Sequence, residues 1–271
     1  MQASVTPGRD PATQYLLRIG DTCLIHAQRL AEWTGHAPVL EEDIALSNLA
    51  LDLIGQARAV LTLAGQRGAQ AGAAALDEDQ LAFLRDERDY RNPTLVELPN
   101  QPGNGNSRPG DFAVTQLRNA MVALWLRLLW QRLETSSDTE LAAIAGKAVK
   151  EARYHWEHAA GWVLRLGDGT AQSQQRMQQA LAHLWPYAAE LFEADTADAA
   201  AQVADLGPSV AELQTPWRAE MDALLREATL GPAPAFGAFR STGSRGVHSE
   251  HMGYVLAEMQ QLQRQFPGAR W

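Results

Sequence analysis

Residues 40–63 read LEEDIALSNLALDLIGQARAVLTL, and this stretch decides the fold. It is apolar nearly all the way round, the mark of a helix buried among other helices. One polar line interrupts it. Asn48, Asp52 and Gln56 recur every four residues and so stack on one face. A carboxylate flanked by two amides needs partners on neighbouring helices, because an unpaired buried charge costs several kcal/mol. That line is where a site is to be sought.

Working outward, residues 13–33 carry Leu16, Ile19, Cys23, Ala27 and Leu30 at helical spacing. Pro38 closes that helix, since its ring forbids continuation. Residues 1–11 read as a flexible tail and residues 12–271 as one helical domain. Residues 66–75, rich in Gly and Ala, read as a loop or weak helix end. A short helix over 78–87 leads into RDYRNPTLVELPN, and QPGNGNSRPGD reads as a surface loop. A third long helix spans 112–134. Ser137 and Glu140 form a capping box for a fourth, which Gly167-Asp168-Gly169 stops near 166. A fifth spans 173–193, kinked at Trp185-Pro186. Ser209 and Glu212 form a second capping box, and a last helix covers 249–266. No β alternation is visible. The expectation is an all-α antiparallel four-helix bundle with additional C-terminal helices.

Totals exclude several classes. The chain has 271 residues and a net charge of -9. The acidic balance and the lack of a basic stripe argue against nucleic acid. The longest apolar stretch, residues 120–133, is broken by Arg127 and is too short to span a bilayer. One cysteine and no apolar leader point to the cytoplasm. Cys23 reads as a small core residue. No phosphate-binding or nucleophile-elbow motif occurs. RDERDYR, residues 85–91, reads as a solvated face or a partner contact. Trp125 and Trp130 read as core.

Bundles of this layout can hold two irons. That chemistry takes one acid from each of two helices and Glu-x-x-His from each of the others. The second helix offers Asp52, but three residues on stands Gly55, which cannot ligate. The fourth offers Glu151, with Tyr154 three on and His155 four on. The first offers Asp21 or His26 near its middle. The third, FAVTQLRNAMVALWLRLLWQRL, contains no Asp or Glu, and Leu117, Met121 or Leu124 would fill its level opposite Glu151. Two metals are not expected. The favoured reading of Asp52, Glu151 and His155, joined by His26 or Lys147, is a buried hydrogen-bond network, fully satisfied. A reduced metal site at Asp52, Glu151 and His155 is the competing reading. His158 reads as packed or surface, and His248, Glu250 and His251 read as helix-start capping and dipole partners.

Five stretches together resemble a known family: LRIGDTCLIHAQRLAEWTGHAP, DIALSNLALDLIGQAR, FLRDERDYRNPTLVELPN, KAVKEARYHWEHAAGWVLRLGDGT and GVHSEHMGYVLAEMQQLQRQFPGARW. They closely resemble the PaaC family, the C subunit of the multicomponent monooxygenase that epoxidises phenylacetyl-CoA in aerobic phenylacetate degradation. The resemblance implies a ferritin-like helical fold. It implies a homologous catalytic A subunit as partner, which carries the di-iron centre and binds the CoA thioester. It also implies a reductase that feeds electrons from NADPH, and indirect contact with that reductase and with small subunits. This chain would then be a structural subunit with no cofactor, no catalytic residue and no metal of its own, and would form a hetero-oligomer, or a homodimer when isolated. The alternatives are a self-standing metalloenzyme and a helical module binding CoA esters.

Overall fold

A computed structural model describes residues 3–100 and 110–269. The helices among these residues are α1 (Pro11–Ala31), α2 (Leu40–Gln70), the short α3 (Glu78–Phe83), α4 (Phe112–Leu133), α5 (Thr139–Gly167), α6 (Ala171–Leu184), α7 (Thr196–Val203), α8 (Gln214–Glu227) and α9 (Glu250–Gln265). Short 3-10 turns join some of them. The fold is an all-α, ferritin-like bundle of α1, α2, α4 and α5, with α6 to α9 packed around it. The expected surface loop over 101–111 lies almost wholly in residues 101–109, outside the described residues.

Side-chain bonds fix the ring order. Cys23 and Gln56 join α1 to α2; Gln56 and Glu151 join α2 to α5; Trp33 and His26 join α1 to α4 through Thr115 and Asn119. The numbering rises on one helix as it falls on its neighbour, so every adjacent pair runs antiparallel. α2 ends beside Thr13, whereas α4 begins beside Trp33. The chain between them must therefore travel the length of the bundle, as a single long crossover does in ferritin-like folds.

That crossover corrects the reading of RDERDYR. It is a strap pressed along α1, with Arg85, Asp89 and Tyr90 buried and only Asp86, Glu87 and Arg88 solvated. Arg85 is fully buried and pairs bidentately with Asp21, itself fully buried, with Nη1 at 2.9 Å from Oδ2. Asp21 Oδ2 also accepts the Arg91 amide at 2.8 Å. Further along, the Glu97 carbonyl accepts two Arg29 N–H bonds, and Asn100 Nδ2 donates to Arg29 O at 2.8 Å. The strap is rich in charge because extended backbone has no internal partners, so side chains from α1 must supply them.

The segment read as a flexible tail is also tied down. Val5 N donates to Leu84 O at 3.0 Å, and Arg9 reaches Asp89 at 3.0 Å. α2 runs on to Gln70 rather than ending near 63. Gly65 permits this, because a Cβ there would sit 2.0 Å from the Leu76 carbonyl oxygen of the returning chain. At α5 the cap is Asp138, not Ser137. Arg67 Nε holds its carboxylate at 2.8 Å, and its Oδ1 accepts the Glu140 and Leu141 amides. Ser137 instead donates to Ala204 O. The Ser209–Glu212 capping box is present. At Trp185 the α-helix passes into a 3-10 run, Trp185–Phe192, because Pro186 has no amide to continue the ladder.

α2 is not buried all round. Its ring position gives it two neighbours, α1 and α5, so Leu40, Ile44, Leu51 and Ile54 face outward. It is also the one helix among the described residues long and apolar enough, by length and composition, to cross a membrane, with a mean hydropathy of 1.3 over its best window. Core helices of soluble proteins pass the same test. Trp125 and Trp130 are core, each anchoring its indole N–H: Trp125 to Leu191 O at 3.0 Å, and Trp130 as described below.

Candidate functional site

The polar line of α2 turns as it climbs. Four residues advance about 400° round an α-helix, so each step drifts roughly 40°. Asn48 is consequently exposed, Asp52 half-buried and Gln56 buried. The line thus leads from the outer face into the centre of the bundle.

Gln56 is the hub. Its Oε1 accepts the Trp130 indole N–H from α4 at 3.2 Å and lies 3.7 Å from the Cys23 Sγ of α1. Its Nε2 donates to Glu151 Oε2 of α5 at 2.9 Å. Four helices meet at one amide. Burial, with the nearby charges of Glu151 and Asp21, pushes the Cys23 thiol up, so the sulfur keeps its proton and donates. Glu151 Oε1 lies 3.5 Å from Nζ of Lys147, one turn back on α5 and largely exposed. The α4 side chain at the level of Glu151 is therefore Trp130, rather than Leu117, Met121 or Leu124.

One turn along α5, His155 Nε2 lies 3.1 Å from Asp52 Oδ2. Burial holds His155 below its ordinary pKa, although Asp52 and Glu151 pull the other way. The ring is therefore neutral and its Nε2–H donates to the carboxylate. Asp52 and His155 pair with each other, while Glu151 bonds Gln56 of α2 and lies beside Lys147 of its own helix. His26 does not join them: its Nε2 lies 3.1 Å from Asn119 Oδ1. Burial, and then the Arg118 charge, lower its pKa to about 3, so it too is neutral. Asp21 is committed to Arg85. Tyr154 points outward, and His158 lies 3.0 Å from Glu42 Oε2 across the α2–α5 gap.

A dinuclear iron cluster draws carboxylates from all four helices. At this level α1 offers a thiol, α2 an amide, α4 an indole N–H and α5 a single acid. No three His, Cys, Asp or Glu side chains converge among the described residues. An indole donates and cannot ligate, and the Gln56 oxygen already accepts its proton. These residues do not fit a two-metal cluster. What the arrangement does is lock four helices in register.

Among the buried acids that escape the sequence reading, two tie the chain's later part to the strap. Glu97 accepts His248 Nδ1 at 3.0 Å and the Ser249 amide at 2.9 Å. Glu190 accepts the Thr94 amide, the Ser241 hydroxyl and the Ser244 amide. Together they clip residues 241–249 to the strap. The available signal is an acid inside an apolar run, TLVELP and YAAELF. His248 is thus not a capping residue. Ser249 caps α9, while the second ring nitrogen of His248 lies 3.2 Å from Tyr90 O. Burial lowers the His248 pKa, but Glu97 and the Tyr90 carbonyl outweigh it and hold the ring above its ordinary value.

The outer face of α2 and α5 completes the site. Leu51 is 64% exposed and Tyr154 53%, flanking Asp52, whose side chain is 40% exposed. Beside them a groove of about 480 Å³ opens between the two helices, lined by Gly55, Ala59, Ala143 and Ile144 together with Arg58, Thr62, Gln66 and Glu140.

Similarity to known proteins agrees with this architecture. A family model described as "Phenylacetic acid catabolic protein" matches residues 2–271. The chain is 48% identical over 259 residues to the C subunit of the 1,2-phenylacetyl-CoA epoxidase of Escherichia coli (strain K12), a match that covers 96% of this chain and 98% of that relative.

Proposed function

From the premise that this chain belongs to the phenylacetic acid catabolic protein family, we propose that it is a non-catalytic, structural subunit of a phenylacetyl-CoA epoxidase. The observation that carries this reading is the Gln56 hub. The level at which a ferritin-like oxygenase gathers metal ligands is filled here by an amide, an indole and a thiol. The chain would hold a homologous catalytic A subunit, which supplies the di-iron centre and binds the CoA ester; a reductase supplies electrons. Its work is then steric, that of a rigid bundle. The complex would act in the cytoplasm, in phenylacetate catabolism.

The rival reading, a reduced metal site at Asp52, Glu151 and His155, finds less support. The His155 nitrogen nearest Asp52 carries the proton of their hydrogen bond, and Glu151 is engaged by Gln56 and Lys147. Co-expression with the A subunit, followed by sizing and an assay for phenylacetyl-CoA-dependent oxygen uptake, tests the proposal. The expected result is one stoichiometric complex whose activity is lost when Glu or Asp ligands of the A subunit are removed, and kept in Glu151→Gln of this chain. Two proteins that elute apart, or activity lost with Glu151→Gln in an intact complex, would overturn it.

A further inference from the structure

About three turns before Trp130 on α4, Gln116 and Asn119 form a second polar set inside the bundle. Being three residues apart, they share one face of the helix. Both side chains are buried. Asn119 Oδ1 meets His26 Nε2 of α1 at 3.1 Å. Phe112, one turn before Gln116, sets its ring edge-on to Trp162 of α5, with 5.0 Å between centroids. Because α4 and α5 run antiparallel, Trp162 stands at the level of Gln116 and Asn119. The α5 residues buried beside it, Ala159 and Val163, are short.

Most polar atoms of this set are unmet. Neither Nε2 nor Oε1 of Gln116 has a hydrogen-bond partner among the described residues, and the same holds for Asn119 Nδ2, His26 Nδ1 and the Trp162 indole N–H. Buried polar groups in folded proteins almost always find partners, in protein or in ordered water. Turning the Asn119 amide over exchanges its roles with those of His26 and leaves as many atoms unmet. The His26 ring is neutral and its one proton is spent on Asn119. The two amide nitrogens and the indole therefore donate, whereas Gln116 Oε1 and His26 Nδ1 accept. An anion would face acceptors here, and a cation would face donors. Only a neutral molecule that both donates and accepts matches the set. We infer that these residues form an internal hydration site, in which ordered water bridges Gln116 of α4 to the Asn119–His26 pair and to Trp162, tying α5 into the α1–α4 seam. The site is enclosed and polar and offers each water several partners, the conditions a buried water requires. It would be present whether or not the chain serves as a scaffold in a complex.

Nuclear magnetic resonance on the full chain, deuterated and isotope-labelled, tests this site. The side-chain amide protons of Gln116 and Asn119 should cross-relax with water, with the sign that marks a bound molecule and not chemical exchange. In Gln116→Leu the Asn119 signal should fall several-fold. The melting temperature of that variant should drop by about 2–5 °C, because Asn119 and His26 lose the water that meets them. A dry site behaves in the opposite sense: Gln116→Leu then removes an unpaired buried amide and raises the melting temperature. Absence of cross-relaxation at both amides of the folded parent, or a raised melting temperature in Gln116→Leu, overturns the site. An Asn119 signal unchanged in Gln116→Leu overturns the bridge. If Gln116→Leu does not fold, the spectrum of the parent decides alone.

Discussion

Removing Asp21 should be among the most damaging single changes outside the bundle centre. The side chain is fully buried, pairs with the equally buried Arg85 and accepts the Arg91 amide. Arg85 also donates to Leu81 O and Asp89 O, and lies 4.1 Å above the Tyr90 ring. Asp21→Ala strands a guanidinium that cannot lose its proton at neutral pH. Breaking a buried pair from one side costs about 3–5 kcal/mol. Unfolding entropy of about 2.1 cal/mol/K per residue gives roughly 570 cal/mol/K for 271 residues. The melting temperature should then fall by about 5–9 °C. Arg85→Met should cost a similar amount. The double variant should cost much less than their sum, because neither leaves the other's charge buried alone. Calorimetric melts of the parent, both single variants and the double close the cycle. A shift below about 2 °C for Asp21→Ala, or simple additivity, would refute the view that this pair pins the strap to α1.

Three further outcomes follow from the geometry. His26, held at about 3 by burial, binds its proton in the unfolded chain near 6.5, so stability should drain away as pH falls through that window. The loss approaches roughly 4–5 kcal/mol by pH 3, and His26→Gln should flatten the acid limb of urea midpoint against pH. His248 behaves in the opposite sense. Its raised pKa means its contribution is fully present below about 6.5 and is lost as pH rises through the folded value. Hydrogen exchange over residues 241–252, corrected for its intrinsic pH dependence, should therefore accelerate on the alkaline side, and His248→Gln should abolish that dependence. Finally, Gly65→Ala should cost about 1–3 kcal/mol by pushing on Leu76 O, whereas Gly55→Ala in the isolated chain should stabilise by up to about 1 kcal/mol. Chemical denaturation compares the two directly.

Much of this is legible in the sequence because helices write their own pattern. The apolar spacing of α1, α4 and α5 and the Ser209–Glu212 box can be read from neighbours three and four apart, and the structure keeps them. The absence of an acid from α4 is equally legible, since it needs only the helix register. What cannot be read is the partner of each charge. Arg85 and Asp21 lie 64 residues apart, and nothing local says that RDERDYR folds back on α1. The strap looks solvated in sequence because its charges are satisfied at long range. The same blindness hides Glu97 and Glu190, whose partners lie between 51 and 152 residues away for the contacts to residues 241–249. Apolarity all round α2 reads as burial and is not. One side packs on α1, α3 and α5 and the other is surface, and composition alone cannot separate the two.

Iron content of this chain, purified alone and exposed to excess ferrous iron without oxygen, probes the central claim most directly. With Gln56, Trp130 and Cys23 occupying the ligand level, the bound metal should stay well below one ion per chain after desalting. Two irons per chain, coupled through a bridging ligand, would contradict it.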